Sequence, residues 1–322
     1  MLYVCQVDAQ EQLLTGEVLA QETKEPIVGA VVFYDGSSIG TITDIDGKFR
    51  LLSKTPTNSP LVIRSLGFET ITLPKLDSDV IRVFMKPAAI QLPEVTLEPD
   101  TWSRKKKLKV FRRELLGVGH KCDILNEDDV RLYYNKGKKT LYAFANRPLK
   151  IKNKGLEYLL VYDVTDFEVN LYEDSASPEA VKQVFYAGNT QFIDESNGSA
   201  SALRRRKKAY FGSSLHFFRA LYSNRLEQEG FQLFKKRFKV PAQELFGFKT
   251  VDATLYVSKL DGLGRISILY GKRNQSFLEV KTAQFIIDPL GNYAPTNALL
   301  FGGEMGKHRI NTMLPIDYEV KD

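Results

Sequence analysis

From residue 13 to residue 85 the chain alternates short apolar runs with breaks containing glycine, aspartate or proline. Residues 13–19, 30–34, 48–52, 61–65, 70–73 and 80–85 each have strand length and are rich in β-branched side chains. Lys48-Phe49-Arg50-Leu51 alternates polar and apolar with period two, which predicts a strand with one buried face. Gly29, Gly36, Gly40, Gly47 and Gly67 fall between these runs or at their edges. About seven short strands in so short a stretch predict a small β-sandwich.

Beyond residue 100 the pattern changes. Ser103 stands as an N-cap before Leu108, Phe111 and Leu115 at helical spacing, with Gly117 as the stop, so a helix is expected over 103–116. Runs at 131–134, 140–145, 149–152 and 158–162 then read as strands. They are separated by Asn135-Lys136-Gly137, Asn146-Arg147-Pro148 and Asn153-Lys154-Gly155, which are hairpin-like breaks. Residues 200–230 return to helical spacing, with Leu215, Phe218, Leu221, Tyr222 and Leu226 on one face and Gly230 as terminator. Further strands are expected near 249–259, 265–270 and 277–287. The fold class is therefore mainly β with α+β character: a seven-stranded sandwich of immunoglobulin or transthyretin type, then an α+β domain with antiparallel strands and two or three helices.

Charge sharpens the division. Residues 1–100 hold 8 Lys+Arg and 14 Asp+Glu, whereas the remaining 37 and 25 give residues 101–322 a net charge of +12. Together with Pro87, Pro93 and Pro99, this reversal places a linker at 87–103 between a domain at 11–86 and a basic domain at 104–322. No run approaches the roughly 18–20 apolar residues of a spanning helix. Residues 1–10 lack a basic start, and Val7-Asp8-Ala9 offers small residues before polar Gln10. They read either as the tail of a signal peptide or as a frayed terminus. Cys5 lacks the small residues expected before a lipidated cysteine.

Four ordered blocks carry a resemblance. Thr15-Gly16-Glu17-Val18, Pro26-Ile27-Val28-Gly29-Ala30-Val31-Val32, the segment Gly40-Thr41-Ile42-Thr43-Asp44-Ile45-Asp46-Gly47-Lys48-Phe49, and Ile63-Arg64-Ser65-Leu66-Gly67-Phe68 together resemble the carboxypeptidase-regulatory-like domain. The resemblance implies a transthyretin-like sandwich of the kind found in Bacteroidetes envelope proteins, and it covers about a quarter of the chain. It also implies periplasmic or outer-membrane association, reverting to cytoplasmic if no leader precedes Met1. The segment 90–97 is similar to one that follows this module in TonB-linked outer-membrane receptors, where it can pair with a partner's sheet edge. A receptor barrel of about 22 strands does not fit in the remaining chain. The segments 204–221 and 314–318 resemble recurrent segments of uncharacterised Bacteroidetes proteins with the same module, which implies no particular reaction.

The candidate chemistry is sparse. Asp44, Asp46 and Gly47 begin like an EF-hand loop, but position 12 counted from Asp44 is Thr55, so a structural turn is the reading. His120, His216 and His308 each lack a Glu three residues on, so no zinc-peptidase motif and no metal or other cofactor is assigned. Ser213 and His216 are the weak candidates for a nucleophile and base, without a G-x-S-x-G elbow; Ser213 also reads as a helix N-cap. Cys122 beside Lys121 is a weak thiol candidate. Two basic clusters, Arg104, Lys105, Lys106 and Lys107 and then Arg204, Arg205, Arg206, Lys207 and Lys208, are candidates for binding an anion or a partner. No nucleic-acid-binding signature accompanies them.

The expectation is a non-enzymatic envelope protein, its sandwich tethered to a basic domain that contacts a protein partner or anionic lipid or lipopolysaccharide head groups. A hydrolase with a site in 104–322 and an accessory of a TonB-linked receptor acting through strand addition at 90–97 are the alternatives.

Overall fold

The structure is a computed structural model that describes residues 11–76, 78–88, 100–119, 121–260, 262 and 264–321. The segment 1–10, the segment 90–97 and His120 lie outside the described residues.

The first strands are β1 (Gln12–Ala20), β2 (Val31–Tyr34), β3 (Gly40–Ile42), β4 (Lys48–Ser53), β5 (Leu61–Arg64), β6 (Ile71–Leu73) and β7 (Val80–Met85). They form a three-stranded sheet, β4-β1-β7, and a four-stranded sheet, β3-β2-β5-β6. The alternation read at residue 48 is realised along β4, where Phe49, Leu51 and Ser53 are buried and their neighbours exposed. Phe49 and Leu51 meet Val32, Tyr34, Leu61 and Ile63 in a core of their own.

A helix α1 (Arg104–Leu116) follows, capped by Ser103, whose side chain accepts from the Lys106 amide. Next come β8 (Cys122–Ile124), β9 (Val130–Asn135), β10 (Thr140–Ala145), β11 (Leu149–Asn153), β12 (Tyr158–Leu171) and β13 (Val181–Asp194). Strands β8-β11-β12-β10-β9 form one sheet with β13 against β12. The β12–β13 pair is 14 residues long on each side, on the order of 45 Å at the rise of an antiparallel strand. Phe111 of α1 packs edge-on to Phe167 of β12, with ring centroids 4.9 Å apart. Trp102 stacks on Tyr134 at 4.0 Å. The chain returns at its end to add Ile310, Leu314 and Tyr318 to this second core.

Two further helices, α2 (Ala200–Tyr210) and α3 (Ser214–Tyr222), lead into β14 (Phe231–Lys235), β15 (Phe238–Val240), β16 (Phe246–Val251), β17 (Thr254–Lys259), β18 (Ile266–Tyr270), β19 (Asn274–Val280), β20 (Gln284–Ile287), β21 (Tyr293–Ala294) and β22 (Leu299–Gly303). The orders are β15-β14-β18-β19-β22 and β16-β17-β20-β21. Phe217 and Phe218 of α3 are fully buried in this third core. The region 104–322 is thus α+β with antiparallel sheets, built around two apolar cores. Among the described residues no helix is long and apolar enough to cross a membrane.

The sandwich does more than hang from the chain. Its β2–β3 turn docks on the far end of β13. Gly36 N–H donates to Thr190 O at 2.7 Å and Phe192 N–H to Ser37 O at 2.9 Å, forming a parallel bridge between Ser37 and Gln191. The Thr190 amide donates to Asp35 Oδ1 at 2.6 Å. From the other side Ile316 N–H donates to Gly36 O at 2.8 Å, and Ser38 bonds the Asp317 carboxylate through its amide and its hydroxyl. A second staple lies at Asp288, whose Oδ2 accepts from Thr57 Oγ1 at 2.9 Å and from the Asn58 amide at 3.0 Å.

Burial raises the Asp35 carboxyl from 3.8 to about 6, against the lowering effect of hydrogen bonds from the Thr190 and Gly36 amides. Folding then favours the protonated form. The stability linked to Asp35 is full below its unfolded pKa near 3.8, declines as pH rises, and is lost above about 6. Two pKa units correspond to about 3 kcal/mol. Asp35→Asn keeps an oxygen for the Thr190 amide but never ionises. We expect the stability of this variant, relative to the parent, to be up to about 3 kcal/mol more favourable at pH 7 than at pH 4 in urea denaturation. Superimposable pH profiles for the two proteins would exclude this role for Asp35.

Candidate functional site

The second basic cluster sits on α2 and is largely structural. Arg206 is 3% exposed in its side chain. Its guanidinium grips Asp194 with two bonds of 2.8 Å, donates to Leu156 O and Glu157 O, and lies over the Tyr158 ring at 3.7 Å. The Asp194 carboxyl is accordingly held well below its usual range. Arg205 donates to Glu157 Oε1 at 2.5 Å and to Gly155 O. Arg204 and Lys208 are exposed and Lys207 is half-buried.

In the first cluster, Arg104 donates to Val130 O at 3.0 Å and Lys107 to Asp100 Oδ2 at 2.5 Å, while Lys106 lies over the Trp102 ring at 3.8 Å. Lys105 is exposed. Lys105 and Lys106 gather with Lys109, Arg112 and Arg113 around a shallow open concavity. Arg204–Lys208 does not join them there.

Ser213 Oγ accepts from the His216 amide at 3.1 Å, capping α3, so its lone pair faces a backbone donor and not the imidazole. The His216 ring is buried among Tyr210, Phe211, Phe231 and Tyr270. Its Nδ1 accepts from the Gly212 amide at 3.1 Å, which places the proton on Nε2, 3.1 Å from Glu229 Oε2. Burial lowers its pKa against the raising effect of Glu229, keeping the neutral form. Ser213 and His216 are neighbours without forming a nucleophile–base pair. Cys122 is buried, and burial followed by Asp123 pushes its thiol up to about 12, which leaves essentially no thiolate at neutral pH. At the Asp44 turn, Asp44 Oδ1 accepts from the amides of Asp46 at 3.0 Å and Lys48 at 2.8 Å, and Gly47 takes φ 72°. Among the described residues no three His, Cys, Asp or Glu side chains converge as a metal site.

Sequence reasoning missed a second concavity. A cleft of about 780 Å³ opens between β13 and β22, bounded by 181–188 on one wall and 299–302 on the other. Both strands are sheet edges there: β13 pairs with β12, and β22 with β19. Each wall carries a glycine that a ring overlies. A Cβ on Gly188 would strike Asp163 O at 2.1 Å and the Tyr162 ring at 3.0 Å, and one on Gly302 would strike the Phe277 ring at 2.0 Å.

The lining is aromatic and basic. Among the described residues it includes Lys182, Lys281, His308 and Arg309 and no Asp or Glu. Lys281 pairs with Glu279 at 2.7 Å. Arg309 donates through one terminal nitrogen to Gly306 O and His308 O, and its other terminal nitrogen lies 3.8 Å from Glu114. Among the described residues its Nε is buried without a partner, as is the Tyr162 hydroxyl. Burial keeps Tyr186 and Tyr293 protonated, the latter with a pKa of about 12. The cleft therefore presents phenol, guanidinium and ammonium donors beside strand edges, which suits an acceptor-rich ligand. The available signal was Val184-Phe185-Tyr186 and Phe192-Ile193 around Gly188: β-forming residues, but without clean alternation.

Comparison with known proteins bears on the sandwich. The CarboxypepD_reg-like domain family matches residues 14–97. Over 69 residues the chain is 36% identical to the TonB-dependent receptor SusC of Bacteroides thetaiotaomicron. That match covers 21% of this chain and 7% of the receptor, so the chain spans a small fraction of that relative's length. Among solved structures, a 9R-lipoxygenase from Cyanothece PCC8801 aligns over 69% of this chain and 49% of its own, at 10% identity and a TM-score of 0.19. A score that low carries no argument about fold or function.

The contrast within 204–208 is measurable. Arg206→Ala strands Asp194 and two carbonyls, so we expect a loss of about 3 kcal/mol in unfolding free energy. Arg204→Ala and Lys208→Ala are expected to stay within about 0.5 kcal/mol of the parent in the same urea titration. Equal losses at all three positions would rule out the structural role assigned to Arg206.

Proposed function

We propose that this protein is a non-catalytic component of a bacterial cell envelope that binds another protein through the β13–β22 cleft. In this reading the CarboxypepD_reg-like sandwich sets the position of the β13 edge. The cleft itself carries the proposal: two strand edges face it, donors line it, and among the described residues its lining contains no carboxylate. The envelope location draws support from the sandwich, because the matching stretch of SusC belongs to a protein described as a TonB-dependent receptor. An accessory role beside such a receptor is the second reading, and it rests on that similarity alone.

Two other readings lose support. Binding of an anionic surface relied on the basic clusters, but Arg104, Lys106, Lys107, Arg205 and Arg206 are engaged within the protein. The hydrolase reading relied on Ser213 and His216, whose reactive atoms are bound to Gly212, Glu229 and the His216 amide.

A photo-reactive amino acid placed at Phe185, on the cleft wall, tests the proposal in cells of the source organism, with Phe238 on β15 as an exposed control. We expect a discrete protein adduct from position 185 and none from 238. No protein adduct at 185, or the same adducts at both positions, would refute binding through the cleft.

A further inference from the structure

The sandwich shows which backbone groups of β13 face away from β12. Both backbone groups of Thr190, and the amide of Phe192, bond to the Asp35–Ser37 segment. Strand alternation carries the same orientation back to Gly188, Tyr186 and Val184. The irregularity in this stretch falls in β12, between Val164 and Asp166, so β13 keeps its alternation through it. These three residues all line the cleft. The edge that the sandwich caps at 190–192 therefore continues along the wall of the cleft, where among the described residues no further backbone partner meets it.

Building on the protein-binding reading above, we propose that the ligand is an extended acidic polypeptide segment that adds to the outer edge of β13 along Val184–Gly188. Main-chain donors and acceptors repeating every second residue match a polypeptide strand. The acidic character follows from exposed Lys182, with Lys281 and Arg309 beside it. Among the described residues the lining holds no carboxylate, although Lys281 also pairs with Glu279 and Arg309 lies 3.8 Å from Glu114, and the Arg309 Nε is buried without a partner. The sandwich already joins this edge by a bridge at Gln191, so strand addition extends an interface that the fold contains. A second copy of the chain is a poorer occupant. Pairing β13 with its own copy brings two cationic clefts together.

The probe is a fluorescent peptide alternating Glu and Val, compared with one alternating Lys and Val, titrated into the full chain. The acidic peptide is expected to bind, with affinity falling as salt is raised, and the basic peptide not to bind. Val184→Pro removes an outward donor while leaving the β12 ladder in place, a substitution tolerated at sheet edges. It should weaken binding by roughly tenfold at unchanged circular dichroism. Lys182→Glu combined with Lys281→Glu should abolish binding of the acidic peptide. Because Val184→Pro can also disturb folding, chemical shifts of the parent protein supply an independent readout, and the Val184, Tyr186 and Gly188 amides should move on adding the acidic peptide.

Failure of the acidic peptide to bind, equal binding of both peptides, or shift changes that miss these amides would overturn the proposal. A concentration-dependent dimer abolished by Val184→Pro would overturn it in favour of a second copy. A protein adduct at position 185 that survives Val184→Pro at undiminished yield would leave the protein-binding function standing and remove strand addition alone.

Discussion

An edge strand exposes backbone donors and acceptors that must be paired or left in water, and β13 meets that constraint in two different ways along its length. At Thr190 and Phe192 the sandwich turn satisfies them with backbone and carboxylate partners. At Val184, Tyr186 and Gly188 the edge opens into a cleft. The same turn is held from behind by Ile316 and Asp317, and the segment 314–318 is in turn held by Arg219. That guanidinium donates to Ile316 O at 2.6 Å, Tyr318 O at 2.7 Å and Leu290 O at 2.9 Å. One arginine of α3 thus ties the segment 314–318, the β20–β21 connection and, through Gly36, the sandwich.

This arrangement changes the meaning of the positive charge. A run such as Arg204–Lys208 looks like a solvated face, yet Arg205 and Arg206 hold the 155–157 segment. Arg206 holds Glu157 and Leu156 by their carbonyls, Asp194 by its carboxylate and Tyr158 by its ring. Guanidinium suits this work because its planar fork serves several acceptors at once and stays charged when buried. The basic groups that face the cleft are elsewhere, at Lys182, Lys281 and Arg309, which are scattered in the sequence and meet only in the folded chain.

Legibility followed local chemistry. The sandwich strands, the Asp44 turn and the Ser103 and Ser213 caps depend on neighbours within a few residues, and their patterns stood in the sequence. The two recurrent segments at 204–221 and 314–318 were visible as segments. Their meeting through Arg219 and through the Tyr210–Tyr318 ring contact at 5.7 Å was not, because nothing local encodes a contact across about a hundred residues. β13 was missed for a different reason. A strand flanked by core on one side and by a cleft and a docked turn on the other has no purely polar face, so period-two alternation fades. The glycine at 188, which looks like a break, is instead what lets β12 and the Tyr162 ring approach.

Residue-resolved amide hydrogen exchange of the ligand-free protein tests the division of β13 most directly. Thr190 and Phe192 are expected to exchange slowly, as amides bonded across the docked turn, while Val184, Tyr186 and Gly188 exchange fast although they belong to the same strand. Uniformly slow exchange along the whole edge, or fast exchange at Thr190 and Phe192, would contradict it.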